Sequence, residues 1–145
     1  VILVDVNLLV YARFSAYPEH PLAHTWLDER LNDRQGVGLP WESLVAFVRL
    51  ATNPRIFPRP LTMDQAWEQV DAWLALPNVW VPGPTERHRQ TLGSLVRGQG
   101  LTSRLVMDAH LAAIAIDHRL VLCSADRDFT RFKGLRFDNP LASPA

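Results

Sequence analysis

The sequence predicts an α/β protein: a mainly parallel sheet with helices on both faces, in a single domain over residues 1–145. Three observations carry this. Short runs rich in Val and Leu recur at Val1–Val4, Gly36–Leu39, Asn78–Val81 and Leu120–Cys123, as strands buried on both faces read. Segments with a helical period separate them, and that alternation favours parallel pairing. Arg104–His118, RLVMDAHLAAIAIDH, is apolar nearly all the way round, the pattern of a buried helix.

Taken in order, Val1–Val4 is a strand that ends at Asp5, and a helical NLLVYAR begins at Asn7. Asp5 therefore stands at the carboxyl end of a strand, the edge where open α/β sheets bind ligands. Asp5 also suits a helix N-cap, and Asn7 can take that place instead. From Pro18 to Asn32, Leu22, Trp26, Leu27 and Leu31 repeat at helical spacing. His20 and His24 share a face of that helix without a third ligand nearby and read as surface or packing residues.

Gly36–Leu39 is the second strand, and Pro40 opens the helix of PWESLVAFVRLATN. Glu42 lies in its first turn, where the helix dipole favours an acid and where it shares the strand edge with Asp5. NPRIFPRP, residues 53–60, is a stiff connection or a loop over a groove. Thr62 caps a helix through Leu76 that carries Trp67 and Trp73. Part of that face is core, and Trp on an amphipathic helix also suits a docking surface.

Asn78–Val81 is the third strand, Glu86–Arg97 a polar helix, and Gly98–Thr102 a turn. The apolar helix follows, with Asp108 in its middle and Asp117 and His118 read as surface residues at its end. Leu120–Cys123 is the fourth strand, running into Ser124, Asp126 and Asp128 before a short helical DFTRF. Leu135–Phe137 forms an edge strand, and residues 140–145 read as a frayed tail.

Composition narrows the function. Of 145 residues, 48% are hydrophobic and 21% charged, as in a folded soluble domain. The lone Cys123 excludes an internal disulfide and fits a reducing, cytoplasmic setting. No run approaches the length of a membrane span, and no signal peptide is visible. Formal net charge is zero, which is not the footprint of a strong nucleic-acid binder. Fourteen of the fifteen cations are nevertheless Arg, which suits bidentate phosphate contact.

Asp5, Glu42 and Asp126 each follow a different strand, and parallel strands share one carboxyl edge. Asp108, a carboxylate in an apolar helix, needs a partner or a metal. Together the four define a cation pocket. Oxygen-only ligation without His or Cys favours Mg²⁺ or Mn²⁺. Such a pocket serves phosphoryl transfer or phosphodiester hydrolysis. Nucleotide-binding loops, C-x-x-C, H-E-x-x-H and G-x-S-x-G are all missing from the sequence.

VDVN at Val4–Asn7, PWESLVAFVRLATNPRIF at Pro40–Phe57, MDAHLAAIA at Met107–Ala115 and SADRDF at Ser124–Phe129 resemble the four motif blocks of PIN-domain ribonucleases, above all VapC-type toxins. The resemblance implies a three-layer α/β/α sandwich and a Mg²⁺- or Mn²⁺-dependent endoribonuclease acting on tRNA or rRNA. It further implies inhibition by a cognate antitoxin, and a homodimer. Asp5, Glu42, Asp108 and Asp126 match the acidic quartet, Asp128 a frequent fifth acid, and Asn7 and Ser124 supporting polar positions. Arg13, Arg49, Arg55 and Arg104 are candidates for RNA phosphate contact.

Two other functions compete. A haloacid-dehalogenase-like phosphatase also opens on a strand followed by Asp, but Asn7 stands where that family places a second Asp. A metal- or partner-binding module without catalysis would use the same acid pocket.

Overall fold

The computed structural model describes residues 1–98 and 100–142. Its five strands are β1 (Ile2–Val4), β2 (Val37–Gly38), β3 (Val79–Trp80), β4 (Val121–Cys123) and β5 (Arg136–Asp138). All pair in parallel, in the order β3-β2-β1-β4-β5. Six α-helices connect them: α1 (Val6–Arg13), α2 (His20–Leu31), α3 (Trp41–Ala51), α4 (Met63–Leu74), α5 (His88–Val96) and α6 (Val106–Asp117). Short 3-10 helices lie at Ser103–Leu105 and Arg127–Arg131.

Side chains alternate between the two faces of a strand, and the core divides accordingly. Val4 and Cys123 join one hydrophobic cluster with residues of α1 to α4. Leu3 and Leu122 join a second with residues of α5 and α6. Each face of the sheet thus carries its own helical layer, giving the three-layer α/β/α sandwich. The strands are shorter than their apolar runs, and the order of elements is the one expected.

Local sequence explains the ends. Thr62 and Gln65 form a capping box at the start of α4. Trp73 is core against Phe47, with ring centroids 4.9 Å apart, whereas Trp67 lies at the surface stacked on Trp41. Gly38 is required by close approach: a Cβ there would lie 3.0 Å from Ile2 O. His20 and His24 place Nδ1 2.8 and 3.3 Å from the carbonyls of Tyr11 and Ala12, closing the C-terminus of α1. They serve packing.

Asp117 and His118 are not plain surface residues. Asp117 accepts from Thr85 Oγ1 at 3.0 Å and Thr91 Oγ1 at 2.6 Å, and His118 Nε2 meets Gly83 O at 2.8 Å. These bonds lock the approach to α5 against the end of α6. Of the expected tail, residues 143–145 lie outside the described residues. Before them, the Leu141 N–H donates to Asn139 Oδ1 at 3.0 Å in a closed turn. No helix among the described residues is long and apolar enough to cross a membrane.

Candidate active site

From β1 the chain winds outward through β2 and β3, then crosses to β4 and β5 on the other side. The strand order reverses between β1 and β4, and open α/β sheets bind ligands outside the carboxyl ends at such a point. Asp5 follows β1 and Ser124 follows β4. The Asp5 N–H donates to Cys123 O at 3.0 Å, so the two loops leave the sheet side by side.

Ser124 is fully buried and organises both loops. Its hydroxyl donates to Asp5 Oδ2 at 2.7 Å. Its oxygen accepts from Asn7 Nδ2 at 3.1 Å and from the Asp126 N–H at 3.0 Å. Asp5 caps α1 itself, with Oδ1 accepting the Val6 N–H at 2.8 Å. Asn7 is therefore not the cap, and its Oδ1 accepts the Ala125 N–H at 3.3 Å instead. Asp5 does both jobs because its two oxygens face different partners.

Asp126 caps the 3-10 helix that follows, its Oδ1 accepting the Asp128 N–H at 2.9 Å. That turn brings the Asp128 carboxyl back beside Asp126. Asp108 approaches from the first turn of α6. Asp108, Asp126 and Asp128 offer oxygens within 4.8 Å of one another. Asp5 and Glu42 are not members of this close group. Asp5 connects to it through Ser124.

Charge crowding follows from that geometry. Burial first, then the charges of Asp126, Asp5 and Asp128, push the Asp108 carboxyl up to about 6, against the pull of Arg104. Burial also raises Asp5; its bonds from Ser124 and Val6 work the other way, and the Asp126 charge adds to the rise. Three clustered carboxylates with one arginine are short of positive charge. Their hard oxygen donors fit Mg²⁺ or Mn²⁺.

The surroundings of Asp108 differ from the sequence expectation. The body of α6, Ala109 and Leu111–Ala115, is buried. Val106 and Met107 are 43% and 63% exposed. The end of α6 leads into the start of β4, so its first turn stands at the carboxyl edge of the sheet, where no layer covers it. Asp108 is half-buried at a rim.

Glu42 is placed by its neighbour: buried Ser43 donates Oγ to Val4 O at 2.7 Å, pinning the start of α3 to the end of β1. The Glu42 carboxylate meets His110 Nε2 at 2.5 Å, and His110 Nδ1 meets His88 Nε2 at 2.9 Å. His110 donates to Glu42, and the second bond runs from His88 to a neutral His110 or from a doubly protonated His110 to His88. His88 Nδ1 is buried without a partner among the described residues. Burial first, and then the His110 charge, lower the His88 pKa, while Asp117 and Glu42 oppose. The sequence reading missed both histidines. The signal for His110 was present, since it is a second polar residue inside an apolar helix, two positions after Asp108.

Of the four candidate arginines, only Arg104 stands at the acids, its Nη1 3.0 Å from Asp128 Oδ2. Arg13 lies over the Phe14 ring at the far end of α1. Arg49 lines a groove with Val45, Met63 and Trp67, and Arg55 sits in the turn after α3 with its N–H on Asn53 Oδ1.

Comparison with known proteins agrees with this architecture. The PIN domain profile matches residues 2–135. Ribonuclease VapC37 of Mycobacterium tuberculosis is 44% identical over 140 residues, covering 97% of each chain. Ribonuclease VapC33 of the same organism is 36% identical over 140 residues, covering 97% of this chain and 98% of its own. Among solved structures, VapBC2 from Rickettsia felis bound to a promoter DNA fragment superposes with a TM-score of 0.69 at 15% identity, over 95% of this chain and 97% of that one. VapBC-1 from nontypeable Haemophilus influenzae gives 0.64 at 16%, over 97% and 98%. The profile match and the identity to the mycobacterial proteins over nearly the whole length place this chain in the PIN-domain family, among the VapC proteins.

Proposed function

We propose that the protein is a divalent-cation-dependent endoribonuclease toxin, active on tRNA or rRNA in the cytoplasm and held in check by a cognate antitoxin. The observation that carries this is the close group of Asp108, Asp126 and Asp128, with Asp5 joined to it through Ser124. These residues would hold Mg²⁺ or Mn²⁺. Such an ion supplies Lewis acidity at a phosphodiester and lowers the pKa of water.

The chain's own residues divide the remaining work. Ser124 fixes the Asp5 and Asp126 loops relative to each other. Arg104, at the exposed edge of Asp128, offers a cation to a phosphate oxygen. Glu42, hydrogen-bonded to His110 and outside the close acid group, is the remaining candidate to accept a proton from an attacking water.

The antitoxin reading draws on the relatives solved as toxin–antitoxin complexes, one of them from Klebsiella pneumoniae. It also draws on the exposed apolar groove of α3 and α4, where Trp41 and Trp67 stack beside Val45 and Met63. Homodimerisation is a second use for exposed apolar surface of this kind. The phosphatase reading fares poorly, because Asn7 is spent on Ser124 and Ala125.

The test is incubation of purified protein with total tRNA and rRNA, followed by sequencing of the new ends. Cleavage at discrete positions that requires Mg²⁺ or Mn²⁺ and vanishes with EDTA or Asp108→Asn is expected. Unchanged cleavage by Asp108→Asn, with contaminating nuclease excluded, would overturn the proposal.

A further inference from the structure

Net charge is zero, yet the charge is not evenly spread. From residue 84 onward the chain carries nine cations, every one exposed. Of the six acids in that stretch only Glu86 and Asp138 are exposed, the others being held in the site or at Thr85 and Thr91. Before residue 84 the exposed surface carries five cations and six acids. The layer built by α5 and α6, with the β4–β5 connection, is therefore strongly positive, and the α1–α4 layer is not.

The positive charge has a centre. Two adjoining surface depressions on α5 share Gln90 and Ser94. Arg89 and Arg97 border one, and Arg87 and Lys133 border the other. No carboxylate lines either, and among the described residues none of the four cations is in an ion pair. Lys133 lies five positions beyond Asp128, across the 3-10 helix that Asp126 caps, and Arg127 and Arg131 project from that helix into solvent. The cationic surface thus begins beside the acid group and continues onto α5.

We propose that this face, centred on Arg87, Arg89, Arg97 and Lys133, is where the sugar–phosphate backbone of an RNA lies when its scissile bond is at the acids. The inference rests on the ribonuclease reading and replaces Arg13, Arg49 and Arg55 as the phosphate contacts. Backbone binding by exposed arginine and lysine needs no apolar anchor and reads shape rather than sequence. Protein partners are held mainly by buried aromatic and apolar anchors. The aromatic ones, Trp41 and Trp67, stand on the opposite layer with Val45 and Met63, while the α5–α6 layer exposes the aliphatic Val96, Val106 and Met107. In the depressions on α5, Gln90, Thr91 and Ser94 stand between the cations.

The experiment measures binding of the full chain to a fluorescein-labelled RNA hairpin in EDTA, over a range of salt concentrations, by fluorescence anisotropy. The variant reverses all four charges: Arg87→Glu, Arg89→Glu, Arg97→Glu and Lys133→Glu. A control variant carries Arg34→Glu and Arg59→Glu on the other layer. Circular dichroism confirms that both are folded, and paired substitutions replace the quadruple variant if it is not. With about 0.7–0.9 of salt slope per phosphate contact, the quadruple variant is expected to lose about 3 from the slope. It should bind about ten-fold more weakly or worse, while the control stays within about two-fold of the wild type. Equal loss in both variants, or unchanged slope and affinity in the quadruple variant, overturns the proposal. A Mn²⁺ cleavage assay on the same samples separates the two readings. Wild-type binding at this face without cleavage would sink the nuclease assignment alone, whereas cleavage with unaltered binding in the quadruple variant would sink the surface alone.

Discussion

His110 Nε2 lies 2.5 Å from Glu42 Oε2, and behind it His88 Nε2 lies 2.9 Å from His110 Nδ1. One polar chain therefore ties α3, α5 and α6 together at the carboxyl edge of the sheet. Replacing His110 with Phe leaves a half-buried carboxylate without its donor and His88 without its ring partner. A hydrogen bond to a charged group contributes about 1.5–3 kcal/mol, and partial exposure reduces that. His110→Phe is expected to lower unfolding stability by about 1–2 kcal/mol in urea titrations. His88→Gln should cost less, because it leaves the Glu42 bond in place. Equal stability of His110→Phe and wild type would show that the contact holds nothing together.

Ser124 is the larger structural risk. Its hydroxyl serves Asp5, Asn7 and Asp126 at once. Ser124→Ala strips a partner from each, and unsatisfied polar groups that water reaches poorly cost about 1–3 kcal/mol apiece. Water enters from the open side of the site, so the expected loss is about 2–4 kcal/mol in total. Denaturant unfolding measures it, and a loss below about 0.5 kcal/mol would mean that the two loops do not depend on the hydroxyl.

Asp108 carries a pH signature. Its carboxyl titrates at about 6 in the fold, above its ordinary 3.8. A raised carboxyl pKa means that the folded state holds the proton more tightly than the unfolded chain. The associated stability is present below the unfolded value and is lost as pH rises through about 6. Asp108→Asn removes the repulsion from Asp126, Asp5 and Asp128. In EDTA near neutral pH the variant should therefore melt at a higher temperature than the wild type, and the gap should close as pH falls well below 6. Comparing variant with wild type at each pH cancels the opposing titration of His88, whose lowered pKa disfavours acid conditions. A variant that melts lower at neutral pH would show that Asp108 is not crowded by like charge.

Arg119 offers a test away from the site. It adopts φ of 56° where α6 turns into β4. The Arg119 N–H donates to Ile116 O at 3.1 Å and the Leu120 N–H to Ala115 O at 2.8 Å, a Schellman closure. Left-handed backbone costs a non-glycine residue about 1–2 kcal/mol, part of which glycine returns as unfolded-state entropy. Arg119→Gly is expected to stabilise the fold by about 0.5 kcal/mol. Destabilisation would mean that the arginine side chain holds the turn.

Much of this was legible in the residues. Apolar strand runs ending at Asp5 and Ser124, and a proline-opened helix carrying Glu42, mark one sheet edge as the candidate site in the sequence itself. What periodicity conceals is direction. Asp128 looked secondary because it trails Asp126, yet the turn capped by Asp126 folds it into the close group. Glu42 looked equivalent to the other acids because it follows a strand, but a histidine two positions past Asp108 engages it. The first turn of α6 has the composition of core and is exposed because it overhangs the edge of the sheet. With four acids committed to the site, fifteen cations face eleven other acids, so an excess of positive surface is legible in the sequence; which face carries it is a property of the fold.

The central proposal is that Asp108, Asp126 and Asp128 are the cation site, with Glu42 held apart from it by His110. Calorimetric titration of Mn²⁺ into the wild type, Asp108→Asn, Asp128→Asn and Glu42→Gln near neutral pH tests it most directly. A saturable site is expected in the wild type. Asp108→Asn and Asp128→Asn should each weaken it about ten-fold or more, and Glu42→Gln by less. Wild-type affinity in Asp128→Asn together with a collapse in Glu42→Gln would contradict it.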